Sequence, residues 1–171
     1  TERSVEETWK PERWPEGGFV VTTELLAGGE VIDRLSHALH VWQPKPQPRF
    51  LEARDGGFWL DGQPWKAHGV NYMPSSGIGV ADNQYFEHWL GRGAYDPEVI
   101  ERDLRRIRAM GMNAVSAFIH HPSLRAQHLL DFLRRCETLG LRVDQSLRPG
   151  TPMDFRWDQM RKLIEFFRLE Q

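Results

Sequence analysis

Hydrophobic and polar positions recur in the same order twice in the second half of the chain. Residues 111–121 and 140–148 each begin with a glycine of the kind that ends a helix, continue as a short apolar strand and finish in polar residues. The two glycines, Gly111 and Gly140, lie 29 residues apart, which is about the length of one strand, one helix and two loops. This repeat predicts a parallel sheet with right-handed crossovers, in which the loops after the strands carry the functional side chains.

Apolar residues at intervals of three or four predict three helices. The first begins at Asp96-Pro97-Glu98, the second at Pro122-Ser123, and the third at residues 151–154, which resemble a capping box. The apolar faces are formed by Ile100, Leu104 and Ile107, by Leu129, Phe132, Leu133 and Cys136, and by Met160, Leu163, Ile164 and Phe167. Together with a strand over 67–72, the order is β-α-β-α-β-α, and the predicted fold class is α/β.

The first part of the chain follows a different pattern, rich in residues that favour strands. Short strands are predicted at 18–26, 30–35 and 38–42. Residues 43–49 carry three prolines at every second position, which is typical of a stiff, extended linker. We therefore expect a β-rich segment over 1–42, a linker over 43–49 and an α/β region over 50–171.

Between the linker and the first helix, two turns and one long loop are expected. Asp55-Gly56 and Asp61-Gly62 are the residue pairs that favour hairpin turns. Residues 73–95 form a connection much longer than usual, so they are either functional or disordered. The aromatic residues Tyr85, Trp89 and Tyr95 favour an ordered, packed loop.

Composition excludes several classes of function. A net charge of −2 argues against an electrostatic surface for nucleic acid, and no apolar run is long enough to span a bilayer. The single cysteine, Cys136, lies at helical spacing from other apolar residues, which favours a core position over a nucleophile. No signal peptide is visible and localisation stays open. No glycine-rich phosphate loop follows a strand, so we expect no cofactor and disfavour a doubly wound nucleotide-binding enzyme.

Three segments carry a resemblance to a known family. Residues 58–72 read FWLDGQPWKAHGVNY, which resembles the entry to the catalytic barrel of clan A glycoside hydrolases, of the family 2 or family 5 kind. Residues 103–115 resemble the first helix and second strand of such barrels, and His120-His121-Pro122 resembles the His-x-Pro of family 2. The resemblance covers residues 50–148. It implies the first three βα units of a TIM-type barrel over 50–171, with the closing strands of a β-sandwich, or an arm, over 1–42.

The resemblance implies a fragment of a retaining hydrolase that acts on O-glycosidic bonds of a carbohydrate. In the family, an arginine that supports the nucleophile usually follows strand two, whereas this chain has Ser116. The acid/base and nucleophile glutamates follow strands four and seven. Retaining hydrolysis needs two carboxyl groups about 5 Å apart, and no pair in this chain matches those positions. We assign no catalytic residue and expect the chain by itself to be inactive.

Candidate substrate-binding residues follow from the ends of the predicted strands, where barrels meet their substrates. Strand alternation places Ser116, Phe118 and His120 on one face, and Asp144, Ser146 and Arg148 on the equivalent face of the next strand. The candidates are Asn71, Trp89, His120, His121 and Asp144.

Each candidate also has a structural alternative. The histidines could make a hydrogen bond within their loop, Asp144 could pair with Arg142 or Arg148, and Trp89 or Tyr85 could pack the loop instead of stacking on a sugar. No third ligand has suitable spacing for a metal site.

A second class of function remains open at this stage. The chain could be a non-catalytic partial barrel used for carbohydrate binding or self-association. Three parallel strands expose two sheet edges, which are usually covered by a partner. We therefore expect a carbohydrate as ligand, and self-association or association with the rest of the barrel, without nucleic acid or membrane as partners.

Overall fold

A computed structural model describes residues 5, 6, 8–43, 45, 49–77, 86–146, 158, 161, 162 and 165. The chain divides into two compact units, Thr1–Gln43 and Pro44–Gln171. Several residues of the sequence predictions lie outside the described residues: the prolines of the expected linker, Tyr85, Arg148 and the apolar face of the expected third helix. The four described residues of that helix, Asp158, Arg161, Lys162 and Glu165, are helical.

The first unit contains one antiparallel ribbon. Strands β1 (Gly17–Ala27) and β2 (Glu30–Val41) pair along their whole length, with a register shift between Leu25 and Leu26. The turn is made by Gly28 and Gly29, which both have positive φ. The prediction of separate strands at 30–35 and 38–42 was wrong, because residues 36 and 37 also pair with β1 and continue the ladder.

The second unit opens with an antiparallel meander of three short strands, β3 (Glu52–Arg54), β4 (Gly57–Leu60) and β5 (Gln63–Trp65). Both predicted hairpin turns are confirmed. Asp55 and Gly56 have φ of 52° and 73°, and Asp61 and Gly62 have φ of 51° and 76°. Positive φ at both central residues is the requirement of a tight type I′ turn, which Asp-Gly meets at low cost.

A parallel sheet follows, with strands β6 (Gly69–Tyr72), β7 (Ala114–Phe118) and β8 (Arg142–Ser146) in chain order. Helix α1 (Pro97–Ala109) connects β6 to β7, and helix α2 (Ala126–Thr138) connects β7 to β8. The α/β fold class is confirmed. The described sheet is open, with three strands.

Both helices pack on the same face of this sheet. Alternate strand residues, among them Tyr72, Val115 and Ala117, belong to one buried cluster with the apolar stripes of α1 and α2. The helix residues in the cluster are Ile100, Leu104, Ile107, Leu129, Phe132 and Cys136. Because the side-chain period of a strand is two, the intervening residues of β6, β7 and β8 point to the other face.

The sequence repeat corresponds to two equivalent helix ends. Gly111 and Gly140 have φ of 84° and 70°, a conformation that glycine adopts without strain. After α1 the amide of Met112 donates to the carbonyl of Ile107 at 3.4 Å, and after α2 the amide of Leu141 donates to that of Cys136 at 2.8 Å. Each glycine therefore closes its helix and directs the chain into the next parallel strand.

The helix starts differ. Asp96 caps α1 as predicted, since its carboxylate accepts hydrogen bonds from the amides of Glu98 and Val99, both at 3.0 Å. The predicted start of α2 at Pro122-Ser123 was wrong. Residues His121–Ser123 form a short 3-10 turn, and α2 begins at Ala126 with no side-chain cap from Arg125.

Candidate functional site

A row of three polar residues crosses the parallel sheet on the face opposite the helices. The register pairs Asn71 of β6 with Ser116 of β7, and Ser116 with Asp144 of β8. Asn71 and Asp144 are exposed and Ser116 is half-buried. Each residue alternates with a residue on the helix-covered face, so strand parity places the three on one face and the register aligns them in a row.

Ser116 and Asp144 are joined directly. The Ser116 hydroxyl donates to Oδ2 of Asp144 at 3.1 Å. A carboxylate held by one hydroxyl keeps further acceptor positions for a ligand. Among the described residues Asp144 has no ion pair with Arg142, the partner that sequence analysis left open, because an Nη of Arg142 donates to the carbonyl of Arg49 at 3.1 Å instead. Ser116 therefore holds the Asp144 carboxylate through one side-chain hydrogen bond.

His120 lies two residues beyond the end of β7 and is half-buried. Its Nδ1 is 3.1 Å from Oγ of Ser123, and that hydroxyl donates to the carbonyl of His120, also at 3.1 Å. The ring also stacks on His88 at 4.1 Å between centroids. The loop hydrogen bond considered for His120 is thus present, and the His121 side chain lies outside the described part of the structure.

Trp89 is part of the core and has no exposed surface. Its Nε1 donates to the carbonyl of Phe118 at 2.8 Å, and its ring packs edge-on against Phe132 at 5.0 Å and Tyr72 at 6.0 Å. Sugar stacking needs an accessible ring face, which this chain does not leave at Trp89. The packing alternative describes this residue, and Trp89 does not join the polar row.

The sequence analysis missed the role of Asn113, which fastens the start of the sheet. Its Oδ1 accepts from the amide of His68 and its Nδ2 donates to the carbonyl of Lys66, both at 2.8 Å. The backbone amide of Asn113 also donates to the carbonyl of His68, and its backbone carbonyl accepts from the amide of Arg142. The side chain therefore satisfies backbone hydrogen-bonding groups of residues that lie just before β6 and outside the strand ladder. In the sequence, this role is indicated only by the position of Asn113, a lone polar residue between a helix-ending glycine and an apolar strand.

A second missed feature is an ionic network between the two helices. Arg135 of α2 donates from Nε to Asp131 at 2.7 Å and from Nη to Glu101 of α1 at 3.1 Å. The Tyr95 hydroxyl also donates to Asp131. Burial and the neighbouring carboxylate raise the pKa of Tyr95, which stays a protonated donor. The network therefore stabilises the helix pair. Its signal was the i, i+4 spacing of Asp131 and Arg135.

In the described part of the chain, no group of three or more His, Cys, Asp or Glu side chains is arranged to hold a metal ion. No described helix is long and apolar enough to cross a membrane. Burial raises the pKa of the Cys136 thiol, which is enclosed in the core.

No family model and no curated protein matches the sequence. Among solved structures, a beta-glucuronidase of Parabacteroides merdae is similar to the chain at 15% identity, with a TM-score of 0.34. The match covers 74% of this chain, which spans 13% of the length of that enzyme. A likeness at this level assigns neither a family nor a function to the chain.

Proposed function

We propose that the chain is the amino-terminal part of a glycoside hydrolase barrel, with β6, β7 and β8 as its first three strands and the β1–β2 ribbon as the closing strands of a preceding sandwich. The observation that carries this proposal is the polar row of Asn71, Ser116 and Asp144 on the face opposite both helices. The resemblance of residues 50–148 to clan A barrels supports it.

The chemistry of the two sheet faces favours a barrel over a doubly wound sheet. In a doubly wound fold both faces bury helices, so strands read as continuous apolar runs. Here β7 alternates, with Val115 and Ala117 completely buried and Ser116 half-buried between them. A polar face of this kind is suited to the interior end of a barrel that holds a hydrated substrate.

In this proposal the row binds substrate hydroxyl groups. Amide and carboxylate oxygens accept hydrogen bonds from hydroxyls, and the Asn71 amide also donates. Ser116 positions Asp144 and His120 lies beyond the strand end, near the loops that would surround a sugar. The two glutamates of a retaining mechanism would come from later strands of the same protein.

Extension of the chain tests the proposal. Residues 1–171 should not hydrolyse a panel of nitrophenyl glycosides above the buffer rate, whereas a longer polypeptide from the same gene that completes eight strands should hydrolyse one of them with retention. Turnover by residues 1–171 that a single carboxylate substitution abolishes would contradict the placement of the catalytic pair. An extended protein that folds and shows no turnover would contradict the hydrolase function itself.

We also infer that the isolated chain self-associates. Within the described residues β6 and β8 each pair on one side only, and large apolar side chains of the ribbon such as Ile32 and Leu35 are more than half exposed. Sedimentation velocity at micromolar concentrations should show a dimer or larger species. A monomer that unfolds cooperatively over the same range would contradict this inference.

A further inference from the structure

A cavity of about 300 Å³ lies at the amino end of β8. Its walls are residues 49–51, one side of α2 and the first residues of β8. The apolar part of the lining includes Phe50, Leu51, Leu133 and Leu141. A volume of this size is at the lower end of the range for pockets that bind small molecules.

The charged part of the lining has more cations than carboxylates. Arg49, Arg134 and Arg142 line the cavity together with one acid, Glu137. Glu137 is shared between Arg134 at 3.1 Å and Lys45 at 2.8 Å.

The other two arginines of the lining, Arg49 and Arg142, differ in whether a carboxylate neutralises their charge. Arg49 donates to Asp61 at 2.9 Å. Among the described residues, Arg142 has no carboxylate within ion-pair distance, and its hydrogen bond is to the carbonyl of Arg49. A guanidinium has five donors, so Arg142 retains donors for a further oxyanion.

We propose that this cavity binds a small amphiphilic anion, with an apolar body against Phe50 and Leu133 and one oxyanion group on Arg142. A neutral apolar ligand would remove water from the arginine without replacing its hydrogen bonds, which is unfavourable. An inorganic anion would leave the apolar wall in water. An aromatic or alkyl carboxylate, sulfonate or phosphate satisfies both parts, and two fused rings are the largest body that we expect to fit. The site is independent of the proposed glycosidase function, because none of its lining residues belongs to the polar row.

Naphthalene-2-sulfonate is a suitable probe, with the neutral naphthalene-2-sulfonamide as its matched control. Titration of residues 1–171 followed by protein NMR should give saturable binding of the sulfonate with a Kd of about 1 mM or lower. The sulfonamide should bind about tenfold more weakly. Equal affinity for the two compounds, or no saturable binding of either, would overturn the proposal.

Variants assign the anion contact to one residue. Arg142→Met should weaken sulfonate binding about tenfold and leave sulfonamide binding unchanged, while Arg142→Lys should recover part of the loss. Arg106→Met, which removes an exposed arginine of α1 outside the cavity, should have no effect. Should Arg142→Met fail to fold, the lysine variant still tests the contact through its sulfonate-to-sulfonamide affinity ratio. Equal losses in the Arg106 and Arg142 variants, or affinity that falls as protein concentration rises because a second copy covers the cavity, would contradict the assignment.

Discussion

The β1–β2 ribbon and the layer of β6–β8 with α1 and α2 are stabilised in different ways. The ribbon has the longest strands of the described chain, with a ladder that is interrupted at one register shift, yet most of its side chains are exposed. The strands of the layer have four or five residues each, and thirteen apolar residues form the buried cluster around them. Strand length therefore does not measure stability here, since a two-stranded ribbon is marginal in water without a packed face.

The two faces of the ribbon differ in polarity, and its apolar face is largely exposed. One face carries the cross-strand pairs Thr22–Ser36 and Glu24–Arg34, and the other carries apolar residues such as Val21, Leu25 and Leu35. This alternation is that of a sheet with one covered face. The strands of the layer also have one apolar face, and there the helices cover it.

The largest expected effect is that of Gly69→Ala in the layer. A Cβ at Gly69 would lie 2.8 Å from both the carbonyl carbon and the Cβ of Ala114, so β6 and β7 could not keep their present spacing. We expect a loss of at least about 4 kcal/mol in the free energy of unfolding, measured by urea denaturation.

Gly93→Ala is the matched control, since a Cβ there meets nothing within 4 Å. It should change stability by less than about 1 kcal/mol. A Gly69 variant as stable as the Gly93 variant would show that the two strands can separate without cost.

The second prediction compares one apolar truncation in each region. Phe132→Ala removes a completely buried ring that packs against Tyr72 and Trp89, and should cost about 3–5 kcal/mol. Leu35→Ala in the ribbon removes a side chain that is 57% exposed in the single chain and should cost the monomer less than about 0.5 kcal/mol. Thermal unfolding of both variants, at a protein concentration low enough for the chain to be monomeric, measures the difference. A large loss for Leu35→Ala under these conditions would show that the side chain is packed within the monomer and would contradict the comparison.

The sequence was most informative where one local rule determines the structure. Asp-Gly pairs predicted both hairpin turns, and the recurring glycines predicted the two equivalent helix ends. Strand parity placed Ser116 and Asp144 on one face, and the register sets them side by side.

The sequence was least informative where the outcome depends on tertiary contacts. Trp89 lies in an aperiodic loop, so no pattern showed that its ring would pack on Tyr72 and Phe132. The start of α2 moved from Pro122 to Ala126 because the intervening residues pack as a 3-10 turn, with the amide of Arg125 bonded to Leu90. The bonds of Asn113 to segments 45 or more residues away in sequence were likewise invisible.

The third prediction concerns the buried ion network of the layer. Asp131→Ala leaves Arg135 with one carboxylate, Glu101, and removes the acceptor of Tyr95. Since the side chain of Arg135 is only 10% exposed, loss of a partner should cost about 3 kcal/mol. Chemical denaturation at neutral pH measures it. Replacement of Glu98, an exposed acid in the first turn of α1, is the control and should cost less than about 1 kcal/mol.

The fourth prediction is a pH dependence in the layer. Burial alone would raise the pKa of Glu137, but hydrogen bonds from Lys45 and Arg134 outweigh it and hold the pKa below its ordinary value. The contribution of ionised Glu137 to the free energy of unfolding is therefore fully present above the unfolded pKa of about 4.3. It is lost as the pH falls through the lower pKa of the folded state. Glu137→Gln should destabilise the protein by less than about 1 kcal/mol at pH 6 and reduce its loss of stability below pH 4. Glu52→Gln in β3 is the control, and an unchanged acid dependence in the Glu137 variant would contradict the prediction.

The smallest effect on stability should come from an ion pair on the ribbon. Arg34 and Glu24 form an ion pair at 2.6 Å, but their side chains are 61% and 36% exposed. Water screens the attraction, and two long side chains lose rotamer freedom to make it, so a double-mutant cycle with Arg34→Met and Glu24→Gln should give a coupling of about 0.2–0.5 kcal/mol. The coupling should fall further at 1 M salt, where the Debye length is about 3 Å. A coupling above about 1.5 kcal/mol that resists salt would show instead that this face is desolvated, and that the ribbon is as well covered as the layer.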